Sequence, residues 1–327
     1  MNDARKFDTL VVGAGWAGLT AASKLAAAGQ RVVVIEKSRG PGGRSATRRD
    51  GKARFDHGAQ YFTARSAAFG RQVAEWRDAG WIAKWTPRLA VLGDRQVHGD
   101  PESVQRFVAL PGMNGVCKHL AASLDCRFEM RVRALRFGAH WTVELDDEVL
   151  EARRLLLTAP PAQTAELLGP DHPLHDDLAA VRFDPCIALM AAFEEGLDAR
   201  FDAAFVNDDS PLRWIARDSS KPGRGGECWV AHATDDWSRE HLEADMDDLA
   251  ADLAPELCRR LDVSPDRLRS ARAHRWRLAQ VAEPRDQGFL SNREQRLAVA
   301  GDWLAGSRVE GAWTSGRKAA EWLADLG

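Results

Sequence analysis

The sequence predicts an α/β fold of two domains, one assembled from separated segments around a parallel sheet, the other an inserted mixed-sheet α+β unit. Three observations point there. The chain opens as strand, glycine turn, helix and second strand ending in an acid. It closes on another strand-loop-helix unit, from Arg296 to Leu323. Between them, after Pro160 and Pro161, the pattern changes to tryptophan-bearing strands. The expected partition is 1–65, 98–160 and 285–327 for the first domain, with 66–97 and 161–284 forming the second.

The opening run is Leu10-Val11-Val12-Gly13-Ala14-Gly15-Trp16-Ala17-Gly18, followed by an alanine-rich stretch and Arg31-Val32-Val33-Val34-Ile35-Glu36. In this Rossmann-type pattern Gly13 makes the tight turn, Gly15 leaves room for a pyrophosphate against the backbone, and Gly18 lets helix and strand pack closely. The helix N-terminus then faces the phosphate charge. Glu36 stands 18 residues after Gly18, where an acid hydrogen-bonds the two hydroxyls of an adenosine ribose and repels a 2′-phosphate. NADP is therefore a poor fit as the nucleotide held by this loop.

Trp16 to Ala28 reads as a helix stopped by Gly29. The loop Lys37-Ser38-Arg39-Gly40-Pro41-Gly42-Gly43-Arg44 packs three cations and four glycines or prolines into eight residues, a second anion cradle facing the first. Asp56-His57-Gly58-Ala59-Gln60-Tyr61-Phe62 mixes a tight turn with polar and aromatic side chains. A helix follows from Ser66 to Ala79, with Phe69, Val73 and Trp76 on its core face. Short strands of a second sheet are expected between Trp81 and Val97, then a helix from Pro111 to Leu124. Arg127 to Phe137 and His140 to Leu145 read as paired strands, and Arg153 to Leu157 as one more before Thr158.

In the second domain Trp214, Trp229, Trp237 and Trp276 sit among strands such as Cys186 to Phe193 and Glu227 to Ala233. A helix from Leu242 to Leu261 should be kinked or split at Pro255. The chain then returns to the first domain through Leu297 to Gly301-Asp302 and a last helix opening at Glu310-Gly311-Ala312.

The 327 residues include 45 basic and 48 acidic ones, a net charge of −3, so no global field attracts nucleic acid or an anionic membrane. Cys117, Cys126, Cys186, Cys228 and Cys258 are odd in number and scattered; reduced, buried thiols and no metal site are expected. The N-terminus fits neither a signal peptide nor a membrane span, and a cytoplasmic protein is expected.

Taken together, Gly13-Ala14-Gly15-Trp16-Ala17-Gly18, Gly42-Gly43-Arg44, Gly58-Ala59-Gln60-Tyr61-Phe62-Thr63, Trp276-Arg277, Gly301-Asp302 and Arg308-Val309-Glu310-Gly311-Ala312-Trp313 resemble the FAD-dependent amine oxidase superfamily, and within it the bacterial renalases. The resemblance implies non-covalent FAD. Gly13, Gly15, Ala17 and Gly18 would hold its pyrophosphate, with Glu36 on the ribose and Gly43 and Arg44 clamping from the other side. It also implies Val132 as a strand residue at the adenine, Asp302 near the pyrophosphate and ribityl chain, and Gly311 and Ala312 at a helix N-terminus facing the flavin. Lys37, His57, Gly58, Ala59, Gln60, Thr158 and Glu310 complete the expected cofactor lining. Gln60, Tyr61, Trp214, His232 and Trp276 are the candidates for positioning substrate.

The activity implied is removal of a hydride from isomeric dihydro-NAD(P), reduced at ring position 2 or 6, to flavin N5, with dioxygen as final acceptor and hydrogen peroxide as product. An amine or other small-molecule flavin oxidase on the same fold is the alternative. This chain departs from renalases in carrying His57 and Ser45 where relatives have apolar residues. It departs from amine oxidases in having the single tyrosine Tyr61 and no cysteine after Cys258, which excludes a two-tyrosine cage, though a Trp could replace one wall, and argues against a flavin link to a C-terminal cysteine.

Overall fold

The computed structural model describes residues 6–51, 53–93 and 104–326. The opening unit is β1 (Lys6–Val12), α1 (Trp16–Ala27) and β2 (Val32–Ile35), followed by the antiparallel hairpin of β3 (Thr47–Asp50) and β4 (Ala53–Asp56). Next come α2 (Ala67–Asp78), β5 (Ile82–Trp85), β6 (Leu89–Leu92), β7 (Arg106–Ala109) and α3 (Gly115–Ala121). β8 (Asp125–Arg127), β9 (Ala134–Phe137), β10 (Trp141–Glu144) and β11 (Val149–Leu157) lead to α4 (Pro161–Leu168) and α5 (His175–Ala179). The second domain then runs through β12 (Phe183–Phe193), β13 (Ala203–Val206), β14 (Leu212–Arg217), β15 (Cys228–Ala233), α6 (Asp235–Glu240), α7 (Met246–Leu261) and β16 (Leu268–Val281). β17 (Leu290–Asn292), β18 (Leu297–Val299) and α8 (Val309–Ala324) complete the chain.

The first sheet has the order β17-β18-β11-β1-β2-β8, with β18, β11, β1, β2 and β8 all parallel. Its central strands are uninterrupted apolar runs, as a sheet covered on both faces requires, and Leu10, Val33, Val34 and Leu155 to Leu157 are fully buried. The second sheet has the order β16-β12-β15-β14-β13-β6, antiparallel except for β13 on β6. The fold is thus the α/β architecture with an inserted mixed sheet that the sequence predicts.

Local departures have identifiable causes. The 66–97 segment is shared between the two halves: β6 joins the second sheet, but β5 pairs with β7. The α2 stripe packs into the first core, where Phe69 meets Trp313 at 5.2 Å between centroids and Trp76 meets Trp16 at 5.6 Å. The last part of that expected strand region, 94–97, lies outside the described residues. The expected strand from Arg127 divides into β8 and β9, because the intervening backbone turns through Glu129 (φ +59°) to bond the loop after β2. α7 starts later than expected, capped by Asp245, and runs unsplit through Pro255. Its buried stripe of Leu249, Leu253, Leu257 and Leu261 outweighs the one backbone bond that proline removes.

α1 is pinned from two sides without a side chain. A Cβ on Gly18 would lie 2.0 Å from the Gly13 carbonyl, and one on Gly316 of α8 would lie 2.1 Å from the Ala17 carbonyl. By contrast, nothing stands within 4 Å of a Cβ on Gly15. Gly18→Ala should therefore cost about 1–3 kcal/mol, as overpacking does, whereas Gly15→Ala should leave the stability of the ligand-free protein almost unchanged. Thermal unfolding of both variants checks this, and equal midpoints would refute it.

Candidate active site

A cavity of about 1750 Å³ opens at the C-terminal ends of β1, β2, β11 and β18, and the second sheet forms its far wall. It exceeds the roughly 300–1,000 Å³ of a pocket for one drug-sized ligand, so it has room for an extended cofactor and a second molecule. Strand C-termini are where an open α/β sheet leaves its crevice.

The end nearest α1 is made of backbone. Gly13 (φ +109°) donates its N–H to the Ile35 carbonyl at 2.8 Å. The Thr158 hydroxyl donates to the Val12 carbonyl at 2.8 Å and would lie 2.5 Å from any Cβ on Gly13. Gly42 donates to the Ala14 carbonyl at 2.9 Å, and a Cβ on Gly43 would come within 3.7 Å of the Gly15 Cα. The two glycine loops therefore face each other, with open space at Gly15, the fit that a pyrophosphate laid against backbone needs. Glu36 is held at this rim by the N–H groups of Ala14 and Ser38, each donating to its carboxylate at 2.8 Å. Met130 N–H donates to the Glu36 carbonyl at 3.0 Å, which draws the following chain across the loop and sets Val132 in the wall. Val132 is a loop residue before β9, not the strand residue expected. Lys37 reaches Gln163 on α4 at 2.9 Å.

Arg44, expected to clamp the cofactor, and Asp302, expected near its pyrophosphate and ribityl chain, are paired with one another: Nη1 to Oδ2 is 3.0 Å and Nη2 to Oδ1 is 2.6 Å. This fork ties the second glycine loop to the turn after β18. Ser45 accepts the Trp16 indole N–H at 2.8 Å, which accounts for a hydroxyl at that position.

Ala17, His57, Gly58, Ala59 and Ala312 line the cavity, whereas Gly18, Glu310 and Gly311 do not. Gly18 is filled by its approach to Gly13 described above. A Cβ on Gly311 would lie 1.8 Å from the Gly306 carbonyl, so that glycine is likewise required by packing. Glu310, expected on the cofactor, is occupied elsewhere: its carboxylate accepts the N–H groups of Arg65 and Ser66 at 2.9 and 2.8 Å, joining α8 to the start of α2.

The far end is aromatic. Tyr61 lies 5.8 Å from Trp214 and 6.0 Å from Trp85, and Trp214 meets Phe205 at 4.8 Å. Also in the lining, His57 stacks on Trp276 (5.2 Å, 25°), and His274 is T-shaped to both. The His57 carbonyl accepts the Trp276 indole N–H at 2.9 Å and lies 3.3 Å from His232 Nε2. Burial pushes all three histidines down, His57 and His274 to about 4 and His232 to about 3. They are neutral at physiological pH and weak as bases.

Gln60 is committed to structure. Its amide N–H groups donate to the carbonyls of Asp56 and Gly58, and its carbonyl accepts from Lys221 at 3.3 Å. Behind it lies a group the sequence reading missed: Asp56, Asp218, Lys221 and Arg224, whose side chains are at most 1% exposed. Lys221 bridges the two aspartates, Arg224 joins Asp56, and Asp56 also accepts from Thr47 Oγ1 at 2.6 Å and Met113 N–H at 2.9 Å. Burial opposes ionisation of Asp56, but the Lys221 and Arg224 charges outweigh it and hold the carboxyl low, whereas burial prevails at Asp218 and raises it. Only Asp56 lay within a motif singled out from sequence. The loop Asp218-Ser219-Ser220-Lys221-Pro222-Gly223-Arg224 reads as an ordinary polar turn, and nothing local marks its charges as buried.

Two outcomes follow from these charges. Lys221→Met leaves two buried carboxylates with a single counter-charge and should cost about 3–5 kcal/mol, read from denaturant unfolding; a loss within error would show that Arg224 suffices. For the histidines, folding depresses the pKa from 6.5 toward 3 to 4, so the unfolded chain binds protons that the native state refuses. Their contribution is complete above the unfolded pKa and is lost as pH falls through that window. His232→Gln should therefore flatten the decline of the thermal midpoint between about pH 7 and pH 5, and an unaltered slope would refute it.

The architecture and the cavity can be set beside known proteins. A family model described as an NAD(P)-binding Rossmann-like domain matches residues 11–76, and one described as flavin containing amine oxidoreductase matches residues 78–323. A solved structure from Exiguobacterium sp. 255-15, provisionally named a protoporphyrinogen oxidase, is similar with a TM-score of 0.78 over 99% of each chain at 13% identity. A triple mutant of putrescine oxidase is similar with a TM-score of 0.73, covering 98% of this chain and 99% of that one at 16% identity. Wild-type putrescine oxidase bound to putrescine gives 0.67 at 15% identity over 97% and 98%. These structures share the fold. Among the described residues no helix is long and apolar enough to cross a membrane. With the second family model covering most of the chain, this protein belongs to the flavin containing amine oxidoreductases and is an oxidoreductase with FAD as its non-covalent cofactor.

Proposed function

We propose that this flavoprotein oxidises isomeric dihydro-NAD(P), reduced at ring position 2 or 6, as renalases do. The observation that carries this reading is the sign of the cavity. Eleven Lys and Arg line it against three Asp and Glu among the described residues, although the whole chain is net −3. Arg44, Arg133, Arg213 and Arg277 are ion-paired. Arg39, Arg48, Arg49, Arg131 and Arg308 have no ion-pair partner among the described residues. That surplus suits an anionic cofactor together with an anionic substrate.

The residues that would hold FAD are those of the facing glycine loops, with Glu36 at the ribose and the α8 N-terminus, through Ala312, beside the isoalloxazine. The chemistry supplied by bound FAD is acceptance of a hydride at N5, followed by reoxidation with dioxygen to hydrogen peroxide. A dihydropyridine that loses hydride becomes an aromatic cation and needs no base. The far wall has none to spare: its histidines are neutral, Gln60 is committed and Lys221 is sealed behind it. What remains for the chain is orientation of a flat ring by the aromatic lining, Tyr61, Trp214, His57 and Trp276 among it.

An amine oxidase is the competing reading. Tyr61 and Trp214 give it one aromatic pair, inclined at 51°, and the arginines oppose an ammonium ion. A carboxylated porphyrinogen, the substrate class in the name of one structural neighbour, matches the charge and is the necessary control. On anaerobic mixing, at least one dihydro isomer should bleach the visible flavin absorption within the mixing time, while simple amines and a porphyrinogen leave it unchanged. Bleaching by either control and by neither isomer would overturn the proposal.

A further inference from the structure

We infer that Arg48 forms an anion subsite on the substrate side of the cavity, beside His274, and takes the diphosphate of a dinucleotide substrate. This rests on the dihydro-NAD(P) reading and specifies how the non-reacting half of that substrate is held.

The alternation of β3 places the side chain. Thr47 points inward to the buried charges, with its hydroxyl on Asp56. Asp50 lies on the opposite face and pairs with Arg272 of β16 at 3.5 Å. Residues 48 and 50 share one face of β3, and 272, 274 and 276 share one face of β16. The Asp50–Arg272 contact thus lays Arg48 toward His274, and Arg48, His57, His274 and Trp276 all line the cavity. The Arg48 charge also adds to burial in keeping both imidazoles neutral.

Among the described residues no carboxylate pairs with Arg48. Asp50 is taken by Arg272, and Asp56 is turned away into the buried cluster with Lys221 and Arg224. Its neighbour Arg49 acts instead on Lys118, whose pKa it helps to lower. The guanidinium is exposed to the cavity with its donor fork unused among the described residues, the arrangement that binds a phosphate oxygen pair with little desolvation cost. It belongs to the wall of His57 and Trp276 and not to the glycine cradle, where Gly15, Gly43 and Glu36 already provide for the cofactor.

The test uses the FAD-loaded enzyme and two probes that divide the substrate. ADP-ribose carries the diphosphate without the nicotinamide ring, and nicotinamide riboside carries the ring without the diphosphate. By calorimetric titration, Arg48→Ala should weaken ADP-ribose binding about tenfold, the scale of one lost charge-assisted contact, and leave nicotinamide riboside unaffected. Arg48→Lys should recover part of the loss. Failure of the wild type to bind ADP-ribose, an unchanged affinity in Arg48→Ala, or equal losses for both probes would overturn the inference. The two readings separate cleanly. Flavin bleaching by a dihydro isomer with Arg48-independent ADP-ribose binding removes the subsite alone, whereas Arg48-dependent binding without bleaching removes the substrate assignment alone.

Discussion

The arrangement of this site depends on four charges sealed between its two halves. Asp56 ends β4 on the nucleotide side, while Asp218, Lys221 and Arg224 come from the connection between β14 and β15 on the other. A buried ion pair contributes little net stability compared with well-packed apolar residues, but breaking one is costly. Such a group acts as a constraint more than as a source of stability, since any shift that separates its members leaves a buried charge unpaired. Through Gln60 and the Asp56 carbonyl, that constraint is transmitted to the turn carrying His57, Gly58 and Tyr61. The wall facing the cofactor is therefore set from behind.

Similar ties close the rest of the cavity. The Arg44–Asp302 fork joins the loop after β2 to the end of β18, and Glu310 joins α8 to α2. Each spans more than two hundred residues of sequence, so segments far apart in the chain are stitched together around the first sheet. Of these two carboxylates only Asp302 lines the cavity, and Arg44 neutralises it there.

The parts legible in the sequence are those governed by local rules. The glycine turn, the strand-terminal acid and the apolar parallel strands follow from backbone geometry and periodicity, and Gly13, Gly15, Glu36, Gly42 and Gly43 all line the cavity. The inserted sheet is visible as a change of pattern, but the allocation of α2 and β5 is not, since a stripe of Phe69, Val73 and Trp76 fits either core. Long-range pairing is invisible in the same way. Arg44, Asp302 and Glu310 have the chemistry of phosphate or ribose contacts, and only the folded chain shows that two of them answer each other and the third binds backbone N–H groups just before α2. Lys221 and Arg224 carry no signal, because a charged loop is normally solvated.

The histidines show how these constraints bear on chemistry. Three imidazoles beside a substrate cavity would ordinarily suggest proton transfer. Here the burial that lets His57 stack on Trp276, and sets His232 against the His57 carbonyl, also lowers their basicity to about 3 to 4. A group cannot be both a deeply packed wall and a base poised near neutrality unless an acid stands beside it. Asp56, the acid adjacent in sequence, is already held by Lys221 and Arg224. The same buried cluster that fixes the wall thus withholds the partner that would make it a catalytic base, leaving a site suited to reactions whose driving force lies in the substrate ring.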